Sequence, residues 1–180
     1  MNHIGTKTIR TERLTLRRVR AEDGQAMFRN WASDPEVTKY LTWPTHENVE
    51  TSQWVIDDWV KSYEKTDFYQ WGIEFSGELI GTISVVELRG ETAEIGYCIG
   101  KAWWHRGIVS EALAGVMEFL FEKVGVLRIE ASHDTRNPNS GGVMRKCGLE
   151  FVQTRCGQDR NNQGICDVHI YGIDRDAWKK

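Results

Sequence analysis

Residues 93–113 read AEIGYCIGKAWWHRGIVSEAL, and this stretch decides the architecture. Its first part belongs to a strand-like run, TAEIGYCIG, over 92–100. A strong amphipathic helix runs from Val109 to Val124, with Ala112, Leu113, Val116, Met117, Leu120, Phe121 and Val124 on one apolar face. Between them two tryptophans, His105 and Arg106 crowd in front of Gly107. A helix N-terminus leaves about four backbone N–H groups unpaired and carries roughly half a positive charge, so anions settle there. Gly107 has no Cβ to hold a ligand away, and His105 and Arg106 add positive charge. Residues 104–110 therefore read as a pyrophosphate cradle. The plainer alternative is a tight turn at Gly107 with core tryptophans.

Two common phosphate-binding patterns fail. GYCIGKA brings Gly96 and Gly100 one residue too close for a P-loop, and no Ser or Thr follows Lys101. The dinucleotide fingerprint G-x-G-x-x-G is absent.

Outward from this stretch, strands and helices alternate. RLTLRRV (13–19) reads as a first strand, and AEDGQAMFRNW as a helix that Asp34-Pro35 breaks. A short piece ends at Pro44. Val49, Gln53, Ile56, Trp59 and Val60 then have helix spacing, with Thr45 and Asn48 as capping residues. YQWGIEF (69–75) and ELIGTISVVEL (78–88) are strands joined at the hairpin signal Ser76-Gly77. After the 109–124 helix, which Gly125 stops, come a buried-type strand at 127–133 and a short helix at 137–148. Two last strands, 150–156 and 166–174, flank a polar loop, GQDRNNQG. The order describes one mixed α/β domain over residues 1–180. The strands on either side of the 109–124 helix are candidates to lie parallel, where ligand crevices form in open sheets.

Composition sets the class. The chain has 180 residues, of which 40% are hydrophobic and 27% charged, enough for one packed core. A net charge of −3 argues against a general nucleic-acid binder. No apolar run approaches the roughly 20 residues of a membrane helix, and the N-terminal stretch has no signal-peptide core. A cytoplasmic protein that binds neither nucleic acid nor membrane is expected. The four cysteines form no CxxC pair and the histidines do not cluster, so reduced thiols and no metal are expected.

Four stretches in order resemble the GNAT superfamily of N-acetyltransferases, and within it the RimJ/RimL-like group that acetylates ribosomal protein N-termini. They are TERLTLRRV, DPEVTKYLTWP, AEIGYCIGKAWWHRGIVSEAL and NPNSGGVMRKCGLEFV, spread over about residues 9–175. The resemblance implies a mixed, mostly antiparallel sheet flanked by helices. The sheet would splay open between the strand ending near Ile99 and the strand ending near Ser132. Acetyl-CoA would lie in that gap, its pyrophosphate on the amides of Trp104, His105, Arg106, Gly107, Ile108, Val109 and Ser110. Its pantetheine arm would run along Cys98, Ile99 and Gly100 and meet Asn137. The family's usual loop starts with Gln or Arg and ends with Gly or Ala; here Trp104 and Val109 stand there.

Acetyl transfer to an amine needs a base, a donor to the oxyanion and a proton for the thiolate. The α-amine, with a pKa of about 8, needs less help than a lysine at about 10.4. The resemblance makes Glu94 the candidate base, acting through water, and Ser140 the candidate acid; the amide near Ile99 would serve the oxyanion. Each has a plainer reading: Glu94 as a solvated strand carboxylate, Asn137 or Ser140 as a helix cap. Cys98 has no activating neighbour in sequence, which favours direct transfer. His133 is expected as a satisfied polar residue. Of Trp31, Trp43, Trp54, Trp59 and Trp71, one or two at most are expected to line an acceptor cleft. The expected acceptor is a protein N-terminal α-amine. A small amine, amino acid or antibiotic is the alternative, and a non-catalytic acyl-CoA sensor a third reading. Homodimers occur among similar proteins, although this sequence carries no signal for one.

Overall fold

A computed structural model describes residues 1–178; the last two positions of the expected 1–180 domain lie outside the described residues. Strands β1 (Ile9–Arg10) and β2 (Leu14–Arg17) lead into a helical region. There α1 (Gly24–Met27) widens into a π turn over Phe28–Ala32, followed by α2 (Pro35–Thr38) and α3 (Val49–Ser62). The cap of α3 is Asn48, whose side chain accepts from the Thr51 amide at 3.0 Å. Thr45 bonds the Thr38 hydroxyl instead.

Next come β3 (Gln70–Phe75), β4 (Glu78–Arg89) and β5 (Thr92–Ile99). Ser76 and Gly77 both have positive φ, 51° and 82°, the backbone that a two-residue hairpin turn requires. Helix α4 (Ile108–Phe119) ends in a π turn over Leu120–Val124, and Gly125 stops it in the left-handed region. All seven residues of its expected apolar face are buried. The chain closes with β6 (Arg128–Asp134), α5 (Pro138–Lys146), β7 (Glu150–Asn161), β8 (Gly164–Asp174) and α6 (Arg175–Trp178).

One sheet of eight strands runs in the order β1-β2-β3-β4-β5-β6-β8-β7. Every pairing is antiparallel except β5 with β6. The larger core packs α4 against one face of the sheet, through Leu16, Trp71, Ile83, Leu113, Val116 and Met117. A smaller core under α1 and α3 joins Met27, Trp31, Ile56 and Leu79 on the other face.

The 157–164 segment departs from the expected loop. β7 runs to Asn161 and β8 starts at Gly164, so only Asn162 and Gln163 form the turn. β7 is an edge strand that is exposed along most of its length. It therefore lacks the apolar alternation by which a strand is read from sequence.

Candidate active site

The site starts where the sheet stops being continuous. β5 and β6 pair only at Thr92–Arg128, Ala93–Ile129 and Glu94–Glu130. Beyond Glu94 each strand follows its other neighbour: β5 stays with β4 as far as Ile99, and β6 stays with β8 as far as Asp134. A wedge opens between them. The Gly100 N–H donates to the Ile80 carbonyl of β4 at 2.9 Å. Strand alternation then turns the N–H and C=O of Ile99 to the opposite edge, into the wedge. The Trp104 indole confirms that direction by donating to the Ile99 carbonyl at 2.9 Å. Trp104 therefore props the strand end while it packs, with Trp103, against the larger core.

The wedge leads to the start of α4. Gly107 has φ +71° and His105 φ +59°, so two left-handed residues fold the loop back on itself. No side chain caps the helix. The loop is strapped from outside by Arg13, whose Nε donates to Glu111 at 2.7 Å and whose Nη1 donates to the Arg106 carbonyl at 3.0 Å. Burial pushes the Glu111 carboxyl up, but hydrogen bonds from Thr11 and Arg13 outweigh it, and its pKa lies below the usual value. A Cβ placed on Gly107 would lie 3.5 Å from Lys146 Nζ and 3.6 Å from an Arg13 guanidinium nitrogen. Two cations thus converge on an uncapped helix N-terminus. Ile108 is buried in the core, and with Val109 and Ser110 it borders the cleft.

α5 supplies the far wall. Asn137 stands at the N-cap position but makes no side-chain cap bond, and the Ser140 hydroxyl points elsewhere. Ser140 Oγ donates to Tyr97 Oη at 3.1 Å, and Tyr97 Oη donates to the Ser140 carbonyl at 3.1 Å. Tyr97 stands on β5 past the last β6 pair, so this phenol spans the wedge. Burial raises its pKa well above the ordinary phenol value. His133 is only half satisfied. Its Nδ1 lies 2.8 Å from the Asp134 carbonyl, so Nδ1 carries the proton, and the buried Nε2 has no partner among the described residues. Nε2 sits against Gly141, where a Cβ would come within 2.5 Å of it. Burial lowers the His133 pKa.

On the opposite face of the sheet lies Glu94. Its Oε1 accepts from Ser132 Oγ at 3.1 Å, and its Oε2 is 3.3 Å from Arg89. Tyr40, Trp43 and Trp59 border the same space. Trp31 and Trp71 are fully buried, and Trp54 is 72% exposed, so two of the five tryptophans reach the cleft. The whole cavity measures about 1220 Å³ and joins the α4 loop to this aromatic wall. That exceeds the roughly 300–1,000 Å³ of an ordinary ligand pocket, and two substrates fit such a space.

A sequence profile described as an acetyltransferase (GNAT) domain matches residues 13–150. The chain belongs to the GNAT acetyltransferase family. It is similar to the uncharacterised N-acetyltransferase YoaA of Bacillus subtilis, 34% identical over 92% of this chain and 95% of that one. It is 29% identical to the putative ribosomal N-acetyltransferase YdaF of Bacillus subtilis, over 69% of each chain. In fold it is similar to RimL, the ribosomal L7/L12 alpha-N-protein acetyltransferase solved with coenzyme A. That likeness has a TM-score of 0.85 at 19% identity and covers 95% of this chain and 99% of RimL.

As a GNAT N-acetyltransferase, the chain brings Glu94, Cys98, Ile99, Asn137, Ser140 and the 104–110 loop around one cavity, whereas Gly100 is buried against the Asn30 carbonyl and the Trp103 ring and does not line it. Burial pushes the Cys98 thiol up to about 11, and Thr82 Oγ1, its nearest polar partner at 3.5 Å, does little to offset this. Such a thiol is not a nucleophile at neutral pH. Among the described residues no metal-ligating cluster occurs, and no helix is long and apolar enough to cross a membrane. Sequence reading missed Arg13 and Lys146, which lie far from the loop in the chain. It also missed the tie between Tyr97 and Ser140. Only the basic character of Arg13 in TERLTLRRV hinted at the first.

Proposed function

We propose that the protein transfers the acetyl group of acetyl-CoA directly to a primary amine. One observation carries this reading: the free edge of β5 runs straight into the uncapped α4 loop flanked by Arg13 and Lys146. The residues present fit the coenzyme. Amides from Trp104 to Ser110 would hold its pyrophosphate, since backbone donors bind whatever side chain stands there. Ile99, on the free edge of β5, and Asn137 across the wedge would hold the pantetheine arm, while Cys98 and Gly100 turn their backbone groups to β4. The coenzyme supplies an activated acetyl thioester.

The chain's own groups do the rest. The Ile99 N–H faces the wedge and is placed to donate where negative charge develops. Ser140 Oγ is the proton source for the departing sulfur once it turns from Tyr97. Glu94 accepts a proton through water from an amine held on the other face. Transfer is direct because no thiol in the cavity is activated.

The RimL likeness and YdaF support a protein N-terminal α-amine as acceptor. A specific feature favours a small amine instead: the segment that carries Tyr40 and Trp43 is bridged to the β7–β8 turn by hydrogen bonds from Asn162 to the Thr38 and Trp43 carbonyls. Thiol release from acetyl-CoA, measured against N-terminal peptides, polyamines, amino acids and aminoglycosides, tests the reading. Turnover that falls in Ser140→Ala and Glu94→Gln supports both roles. Failure to bind acetyl-CoA by calorimetry overturns the proposal.

A further inference from the structure

The geometry points to Asn162 as the residue that sets acceptor size, by tying the two walls of the acceptor side together. This rests on the proposed reading of the cleft as an acetyltransferase site. One wall is the irregular segment that follows α2. The other is the β7–β8 hairpin, whose Asn162 lies 119 residues beyond Trp43 in the chain. Asn162 stands at the turn of that hairpin and spends all three of its N–H donors on the opposite wall. Its backbone N–H donates to the Leu41 carbonyl at 3.1 Å. Its side-chain amide donates to the Thr38 carbonyl at 2.8 Å and the Trp43 carbonyl at 2.7 Å.

Thr38 closes α2, and the Leu41 and Trp43 carbonyls lie beyond it in a stretch with no helix or strand ladder of its own. Backbone acceptors outside regular structure need partners, and here one residue supplies both, its backbone N–H to Leu41 and its side chain to Trp43. The turn itself is held in place from below. Asn161 Nδ2 donates to Asp134 Oδ2 at 2.7 Å, and the Gln163 N–H donates to Asn161 Oδ1 at 2.8 Å. Arg136 pairs with the same Asp134 at 2.6 Å and lies 5.9 Å from the Tyr40 ring centre, which belongs to the first wall. A continuous chain of polar contacts thus runs from β6 through the hairpin turn to the aromatic segment.

The consequence is steric. Tyr40 and Trp43 line the same cavity as Glu94, and Asn161 of the hairpin lines it beside the Asn162 bridge. A slender primary amine enters such a site with its apolar part against the aromatic wall. A peptide, whose chain must continue outward past the bridge, is held back. Asn162 touches neither coenzyme nor reacting atoms, so it is a positioning residue.

The test compares two coenzyme A conjugates, in which the sulfur carries an acetamide-linked phenethylamine or an acetamide-linked N-terminal octapeptide. Binding is measured by calorimetry for the wild type, Asn162→Ala and Asn162→Asp. The second variant keeps the backbone donor and replaces the amide by a carboxylate that repels the Thr38 and Trp43 carbonyls. The wild type should prefer the small conjugate by roughly tenfold or more, and both variants should narrow that ratio to about twofold. Affinity for coenzyme A alone should not change. Equal binding of both conjugates to the wild type, or an unchanged ratio in the folded variants, overturns the role of Asn162. Loss of coenzyme A binding in the wild type overturns instead the reading of the site on which the inference rests.

Discussion

The two hydrogen bonds between Tyr97 and Ser140 make a quantitative claim. Tyr97→Phe removes both: the bond from Ser140 Oγ and the bond to the Ser140 carbonyl, each 3.1 Å long. The ring and its packing stay. At about 1 kcal/mol per bond, the variant should lose about 2 kcal/mol. For a chain of this size that lowers the melting temperature by roughly 4–8 °C. Ser140→Ala removes only the bond from Oγ, because the Tyr97 phenol still reaches the Ser140 carbonyl. It should lose about 1 kcal/mol. The double variant breaks nothing that Tyr97→Phe leaves intact, so it should also lose about 2 kcal/mol. The two changes are therefore non-additive, with a coupling of about 1 kcal/mol. Urea unfolding of the four proteins measures this, provided the slope with denaturant is unchanged. Additive losses would refute the bridge across the wedge. So would a Tyr97→Phe protein as stable as the wild type.

Two further outcomes follow from local geometry and burial. Gly81→Ala would place a Cβ 2.3 Å from the Cys98 carbonyl oxygen and 2.8 Å from Ile99 Cα, backbone that cannot swing aside; β4 and β5 must part, and a loss of about 3 kcal/mol or a failure to fold is expected in denaturant melts. Burial lowers the pKa of both His133 and His46 in the folded state, so the unfolded chain binds more protons once the pH drops below its histidine pKa of about 6.5. Stability from these groups is complete above that pH and is lost as the pH falls toward the folded values; the unfolding midpoint should drop between pH 7 and 5, less steeply in His133→Asn, and an equal slope in the variant would show that His133 titrates normally.

The half of the cleft proposed for the coenzyme was legible as elements in the sequence because it is local. Strand, loop and helix over 92–124 are continuous, and helix spacing, glycine at a left-handed turn and unpaired amides are properties of neighbours in the chain. The seven apolar positions of α4 became buried for the same reason. The β7–β8 hairpin was not legible over 157–164. An edge strand wet on most of its surface selects no apolar alternation, so its residues read as a loop.

What needed the tertiary structure was every partnership across the chain. Lys146 and Arg13 meet at Gly107 although 133 positions separate them, because α4 lies between β2 and α5. Asn162 reaches Thr38 only after the sheet order has placed β8 beside β6 and brought the hairpin turn over the α2 segment. Ser140, an acceptable helix cap by residue type, turns to Tyr97 because the two strands part after Glu94 and leave a phenol facing α5. Sequence alone determined the apolar strands and helices and which helix start is left without a side-chain cap, since backbone periodicity and side-chain size act over a few residues. The sheet order decided which walls face each other, because contacts between distant segments depend on how the whole core packs.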